Sequence, residues 1–218
     1  MTIWDKIYKN YQKGGPAWAT LGGRVLPHFV KFIDPNKFAK KHALEIGCGT
    51  GKYLVILKEL GFKTSGIDSS ETAVEMTKQN LGDDSDIKLA DMFEYDISQN
   101  KYDFIFSICT IHHGYKNQVK KTIEKMYSAL LPGGKIFITL PDYENNKKWK
   151  TFKNNQDLGD GTFAPLSGPE TGLPHSFYIK QEVENLFKEF TNVDIELEEE
   201  GKIVHGNWVI TGEKQSQL

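Results

Sequence analysis

Residues 43–51 read ALEIGCGTG, a short apolar run that passes directly into a turn with glycine at positions 47, 49 and 51. A strand that ends in such a turn and opens a helix is where open parallel sheets bind nucleotide-like ligands, because glycine permits positive φ and close backbone approach. The helix follows at once. Tyr53, Leu54, Leu57 and Leu60 recur at three- and four-residue spacing and stop at Gly61. The glycine spacing is G-x-G-x-G, whereas a dinucleotide fingerprint needs glycine at position 52, where the chain has Lys52. Glu45, just before the turn, would repel a pyrophosphate and attract an ammonium or sulfonium group, so its charge favours a cationic ligand.

Outward from this turn the chain alternates apolar runs with amphipathic stretches, the pattern of a parallel sheet covered by helices. His42–Ile46, Lys63–Ile67, Asp86–Ala90, Tyr102–Ile108 and Lys135–Leu140 read as five parallel strands. Val74 and its neighbours, after Ser69-Ser70 as caps, give one intervening helix. Val119, Ile123, Met126 and Leu130 give another, ended by Pro132-Gly133-Gly134. Asp142–Ser176 is polar and punctuated by glycine and proline, which predicts a lid or binding loop without regular structure. Val183, Leu186, Phe187 and Phe190 then predict a helix, and Val193–Leu197 and Ile203–Ile210 two strands close enough in sequence to pair antiparallel. The fold class is α/β, a Rossmann-like sheet of seven mostly parallel strands with helices on both faces. One domain accounts for residues 1–218: a helical cap over 1–40, a cofactor-binding core over 41–141, a loop or lid over 142–176, and a C-terminal helix and hairpin over 177–218.

Composition narrows the partners. The chain has 218 residues, with 27 Lys and Arg against 29 Asp and Glu, so its net charge of −2 provides no general field for a polyanion. No run reaches the ~18 apolar residues of a membrane span, and the N-terminal residues lack the apolar core of a secretory signal. A cytoplasmic protein with no membrane association is the expectation. Cys48 and Cys109 have no nearby Cys or metal-spaced His and read as small packing residues. Lys147, Lys148, Lys150 and Lys153 with Trp149 and Phe152 form a basic and aromatic cluster of the kind that holds phosphate or stacks a base; its ordinary reading is a solvated loop, and the lack of supporting positive charge elsewhere disfavours nucleic acid as partner.

The strand ends carry the chemistry. Asp68 lies 17 residues after Gly51, near the distance at which an acidic side chain meets ribose hydroxyls. Asp91-Met92 places another acceptor and a soft apolar wall at the next strand end, suited to an adenine amine and ring. The ordinary reading of either Asp alone is a turn former or helix cap. The fourth strand runs into Thr110-Ile111-His112-His113, at the edge where a second substrate enters an open sheet. A neutral imidazole there can orient or deprotonate a nucleophile. Adjacent residues on a strand point to opposite faces, so at most one of the two histidines is expected to act, the other packing.

From Ala43 to Leu140 the segments ALEIGCGTG, GIDSS, LADM, YDFIFSICTIHH and LLPGGKIFI follow in an order and spacing that resemble a class I S-adenosylmethionine-dependent methyltransferase. HSFYIKQEVENLFKEF followed by NWVITGEK is similar to the tail of small-molecule and tellurite-resistance-type members. The resemblance implies a reversed last strand, S-adenosyl-L-methionine as cofactor, no metal, and a small-molecule acceptor methylated by in-line displacement. It implies a cofactor site lined by Glu45, Gly47, Gly49, Gly51, Asp68, Asp91 and Met92, to which Cys48, Ser69 and Ser107 are added as neighbours at the same strand ends. His113 and His112 are the candidate catalytic residues, and Tyr11, Trp18 and His175 the candidate acceptor-binding ones. Two positions depart from the pattern: Glu45 stands where Asp is common, and Ile179 where the tail carries a Ser or Thr cap. A nicotinamide dehydrogenase would need the glycine at 52, and an aminopropyl transferase would carry acids at the end of the fourth strand, where this chain reads SICTIHH. A non-catalytic module of the same fold and a nucleic-acid methyltransferase are the remaining alternatives.

Overall fold

Side-chain parity along β1 (His42–Ile46) divides the interior in two. Leu44 and Ile46 face one side of the sheet, and Ala43 shares the other with Glu45. In the computed structural model, which describes residues 1–15, 25–82, 85–198 and 206–216, α1 (Ile3–Gln12) and α2 (Pro27–Phe32) precede β1. The core continues with α3 (Lys52–Glu59), β2 (Lys63–Asp68), α4 (Glu71–Leu81), β3 (Asp86–Leu89), β4 (Tyr102–Ser107), α5 (Lys116–Ala129) and β5 (Leu130–Pro141). An insertion holds α6 (Tyr143–Asn146), β6 (Asn155–Gly159), β7 (Thr162–Pro165) and β8 (His175–Ser176). The chain closes with α7 (Lys180–Leu186), β9 (Thr191–Glu198) and β10 (Asn207–Glu213).

The main sheet has seven strands in the order β3-β2-β1-β4-β5-β10-β9. The first five are mutually parallel, and β10 runs antiparallel to both β5 and β9. On one face Val119, Ile123 and Met126 of α5 pack with Leu44, Ile105 and Ile138. On the other, Leu54 and Leu57 of α3 and Phe29 of α2 pack with Phe104, Phe106 and Phe137. Phe29 meets Phe106 and Phe137 with ring centroids 5.3 Å away in each case, and burying each such ring contributes about 1.5–3 kcal/mol.

Two sequence expectations change. The expected strand start at Ile203 lies outside the described residues, of which Asn207–Glu213 form the last strand. The α5 helix ends at Ala129, before the Pro132-Gly133-Gly134 signal, because Leu130 already takes an extended conformation and pairs with Tyr102. The 142–176 segment is structured: β6, β7 and β8 form an antiparallel sheet of their own. Its hairpin turns on Asp160-Gly161, both at positive φ (50° and 66°), the backbone that a two-residue Asp-Gly connection favours. Phe163 lies 4.8 Å from Phe152 and 5.8 Å from Phe177 between centroids, so the insertion buries its aromatics against one another.

Candidate functional site

At the carboxyl end of β1 the glycine turn folds back onto β2, with Gly47 N and Cys48 N donating to the Ile67 carbonyl at 2.8 and 3.0 Å. Asp68, at the end of β2, accepts from Gly49 N on Oδ2 and from Ser70 N on Oδ1, both at 2.9 Å. This carboxylate therefore fixes the turn and the start of α4 together. Burial raises its pKa, and the donated N–H groups of Ser70, Gly49 and Ser69 oppose that rise. Gly47 is at φ +74°, and a Cβ there would come within 2.0 Å of Thr110 Cγ2. The turn is thus packed directly against the loop after β4. Cys48 is buried, as its apolar context predicts.

Glu45 lies in the sheet beneath this turn at 3% exposure, and its Oε2 has no hydrogen-bond partner among the described residues. Burial, offset in part by Lys52 and reinforced by Asp68, pushes its pKa well above the ordinary carboxylate value. A buried acid with an unused oxygen is a receptor for a cationic group, so the cradle fits a ligand that brings an ammonium. Ionising Glu45 works against folding: with its pKa raised in the fold, stability is lost as pH rises from the ordinary Glu value through the raised one. Glu45→Gln is expected to stabilise the ligand-free protein by about 1–3 kcal/mol near neutral pH, measured by denaturant unfolding. An unchanged or lower stability would mean that the carboxylate is satisfied in solution.

The α1 helix covers this edge. Its Asp5 is buried against the start of α4, accepting from Thr72 Oγ1 at 2.8 Å and Thr72 N at 3.1 Å and pairing with Lys9 at 2.9 Å. The Lys9 pairing, ahead of the Thr72 and Ser70 bonds, holds the Asp5 carboxyl far below its usual range. Trp4, Tyr8 and Tyr11 share one face of α1 by helical spacing. Tyr8 is buried, and burial followed by the charges of Asp68, Cys48 and Glu45 raises its hydroxyl pKa. Tyr8 thus lies beside the glycine turn, near Asp68 and Glu45. In the sequence it stands with Trp4, Tyr11 and Trp18 as one of the aromatics of the N-terminal helical segment. Trp18 lies outside the described residues.

The other expected cofactor residues sit along the same edge. Asp91 Oδ1 accepts from Phe93 N at 2.8 Å and is a turn former, while its neighbour Met92 is partly buried against the core. The Ser69 carbonyl accepts from Thr2 Oγ1 at 3.3 Å. Ser107 is fully buried, with its hydroxyl donated to the Ile46 carbonyl at 2.9 Å, which ties β4 to the start of the turn.

On the far side of the turn the histidines meet. Strand β4 ends at Ser107, and residues 111–114 form a turn, so the alternation of strand side chains does not govern His112 and His113. Both rings are directed to one place: their centroids are 4.0 Å apart, and His175 of the insertion lies 4.6 Å from His113 and 5.8 Å from His112. This corrects the expectation that one of the pair turns away. Trp4 packs edge-on to His113 at 4.7 Å. Each of the three histidines is only 9% exposed. Burial, then the neighbouring rings, lowers the His112 pKa far below the ordinary value, and burial followed by His175 holds His113 at about 3. Both are neutral with a free lone pair. Glu170, unmarked in the sequence, contacts His175 Nε2 at 3.0 Å. Burial would raise its pKa, but that contact brings it below the ordinary value. Cys109 is an exposed residue at φ +53°, yet its sulfur accepts from Asn207 at 3.6 Å and Thr139 Oγ1 at 3.8 Å, and burial raises the thiol pKa.

Residues 43–134 match a methyltransferase domain. The chain is 28% identical over 184 residues to a probable tRNA methyltransferase 9B of Bos taurus, covering 78% of this chain and 39% of the relative. It is 28% identical over 176 residues to phosphoethanolamine N-methyltransferase 2 of Caenorhabditis elegans, covering 73% and 37%. The chain therefore spans well under half the length of both relatives. A solved SAM-dependent methyltransferase of Methanosarcina mazei shares the fold, with a TM-score of 0.72 at 16% identity over 89% of this chain and 100% of that one.

Proposed function

The chain belongs to the class I S-adenosylmethionine-dependent methyltransferases, and on that premise we propose that it methylates a small-molecule acceptor held between α1 and the three histidines. When bound, S-adenosylmethionine supplies a methyl group already activated as a sulfonium substituent. Glu45 with its unused oxygen and the glycine turn would hold the amino-acid end, Asp68 the ribose, and Met92 the ring. The protein's remaining tasks are orientation and the exclusion of water. Trp4 and the insertion close the acceptor side. His113 Nδ1 donates to the Thr110 carbonyl at 2.8 Å, which leaves its Nε2 lone pair to accept a hydrogen bond from the acceptor. A hydroxyl oxygen that gains a methyl group becomes a strongly acidic oxonium, so even a weakly basic imidazole can take its proton.

The observation that carries this reading is the enclosure of the acceptor side, where His112, His113 and His175 are each 9% exposed beneath Trp4. A tRNA acceptor is the second reading, favoured by the name of one relative and by the lysine-rich segment around Trp149, which is 46% exposed. Against it, Lys147 pairs with Glu144 at 2.6 Å and Lys148 bonds Asn145 at 2.9 Å, so part of that charge is engaged within the segment. Incubation with methyl-labelled cofactor separates the two. Label is expected in a protein-free metabolite fraction; label confined to added tRNA would overturn the small-molecule assignment. Among the described residues no helix is long and apolar enough to cross a membrane.

A further inference from the structure

The displacement reaction calls for no metal, yet the histidine wall is a donor set of the kind metals use. One ring nitrogen from each of His112, His113 and His175 lies within 4.8 Å of the others. We propose that these three rings, with Glu170, form a binding site for a divalent transition-metal ion of the zinc type.

Three features of the hydrogen bonding support the assignment. The Thr110 carbonyl can only accept, so His113 Nδ1 carries the proton and Nε2 is a lone pair. The Leu173 carbonyl, 2.8 Å from His175 Nδ1, fixes the same tautomer there and turns Nε2 toward Glu170 Oε2 at 3.0 Å. A bare lone pair facing a carboxylate oxygen is repulsive, so a cation must stand between them, either a proton or a metal ion. His112 Nδ1 is buried with no hydrogen-bond partner among the described residues. Carbonyl-anchored imidazoles with a carboxylate at hand are the arrangement that orients ligands around zinc. The backbone holds the two halves of the set together, with Ser176 N donating to the His112 carbonyl at 2.8 Å and Ser176 Oγ to the Gly114 carbonyl at 2.5 Å.

Zinc–nitrogen bonds of ~2.0–2.1 Å place tetrahedral ligands ~3.4 Å apart, so sharing an ion asks no pair of rings to close by more than ~1.4 Å, within reach of side-chain rotation. Three neutral imidazoles suit zinc, cobalt or nickel rather than magnesium or calcium, which prefer oxygen ligands. An ion here would lower the pKa of a coordinated hydroxyl or thiol. In that state the ion favours loss of the acceptor's proton to solvent, and His113 serves as a ligand rather than as the base. This role rests on the acceptor-side reading above; binding of the ion does not.

The test is titration of Co²⁺ into the chelator-treated full chain, followed by visible absorption. One equivalent is expected to bind with the intense bands of a four- or five-coordinate ion. His175→Gln should abolish the bands, and Glu170→Gln should weaken binding about 10–100-fold. His28→Gln, remote in sequence and paired with Glu196 at 3.1 Å, should leave the bands unchanged and serves as a control for surface binding. Circular dichroism identifies any variant that fails to fold. No bands in the wild-type chain, or bands that persist in a folded His175→Gln variant, would overturn the site and leave a proton as the cation between His175 and Glu170. Binding of S-adenosylhomocysteine by the same chelated protein is measured in parallel, so failure of the metal site is distinguishable from failure of the methyltransferase reading.

Discussion

Replacing His113 by Asn is expected to lower turnover about 10²–10⁴-fold while leaving cofactor affinity nearly unchanged. The asymmetry follows from position. His113 touches Trp4, His112 and His175 on the proposed acceptor side, whereas the proposed cofactor cradle comprises Glu45, the glycine turn and Asp68. Asn preserves a polar group of smaller volume but offers no lone pair of comparable basicity. Because the ring is held neutral down to about pH 3, its own protonation in the ligand-free protein should not produce an acid limb in kcat/KM at ordinary assay pH. Full activity in the His113→Asn variant would show that orientation alone carries the chemistry and that the ring is structural.

Gly47→Ala is expected to damage both halves of the site at once. The new Cβ would lie 2.0 Å from Thr110 Cγ2 and 2.8 Å from Thr110 Cβ, on a backbone at φ +74°. Overpacking costs ~1–3 kcal/mol and a left-handed backbone at a non-glycine residue ~1–2 kcal/mol, so unfolding stability should fall by a few kcal/mol. If the chain relieves the clash by moving the turn, cofactor affinity should fall more than ~tenfold, since 1.4 kcal/mol is already a factor of ten. Thr110 also carries the carbonyl that anchors His113 Nδ1, so moving Thr110 instead shifts the histidine. Denaturant melts and cofactor titration measure the two effects. A variant with wild-type stability and affinity would mean that the turn and the histidine loop are not in contact in solution.

The core of the fold was legible because each of its elements is decided locally. Residues 43–51 state both a strand and the turn that ends it, and the apolar runs of β2, β4 and β5 are short and bounded. The insertion does not show itself as a sheet in the sequence because its strands are short and its composition polar, although Asp160-Gly161 carries a hairpin signal. The histidine cluster was half legible. His112, His113 and His175 each stood out, but their meeting depends on β8 pairing its backbone to the His112 carbonyl across 64 residues of chain. Glu170 had no signal of its own, since a carboxylate in a glycine- and proline-rich stretch looks like any solvated loop residue. Tyr8 is visible in the sequence as one of several N-terminal aromatics, but which of them face the sheet is set by the docking of Asp5 on α4, a long-range contact.

The most direct test of the account is calorimetric titration of S-adenosylhomocysteine into the full chain. One saturating equivalent is expected in the wild-type protein and in His113→Asn, with binding weakened in Gly47→Ala. A folded wild-type chain that binds more weakly than about 1 mM, where the standard binding free energy is only ~4 kcal/mol, would contradict the assignment of the glycine turn, Glu45 and Asp68 as the cofactor site.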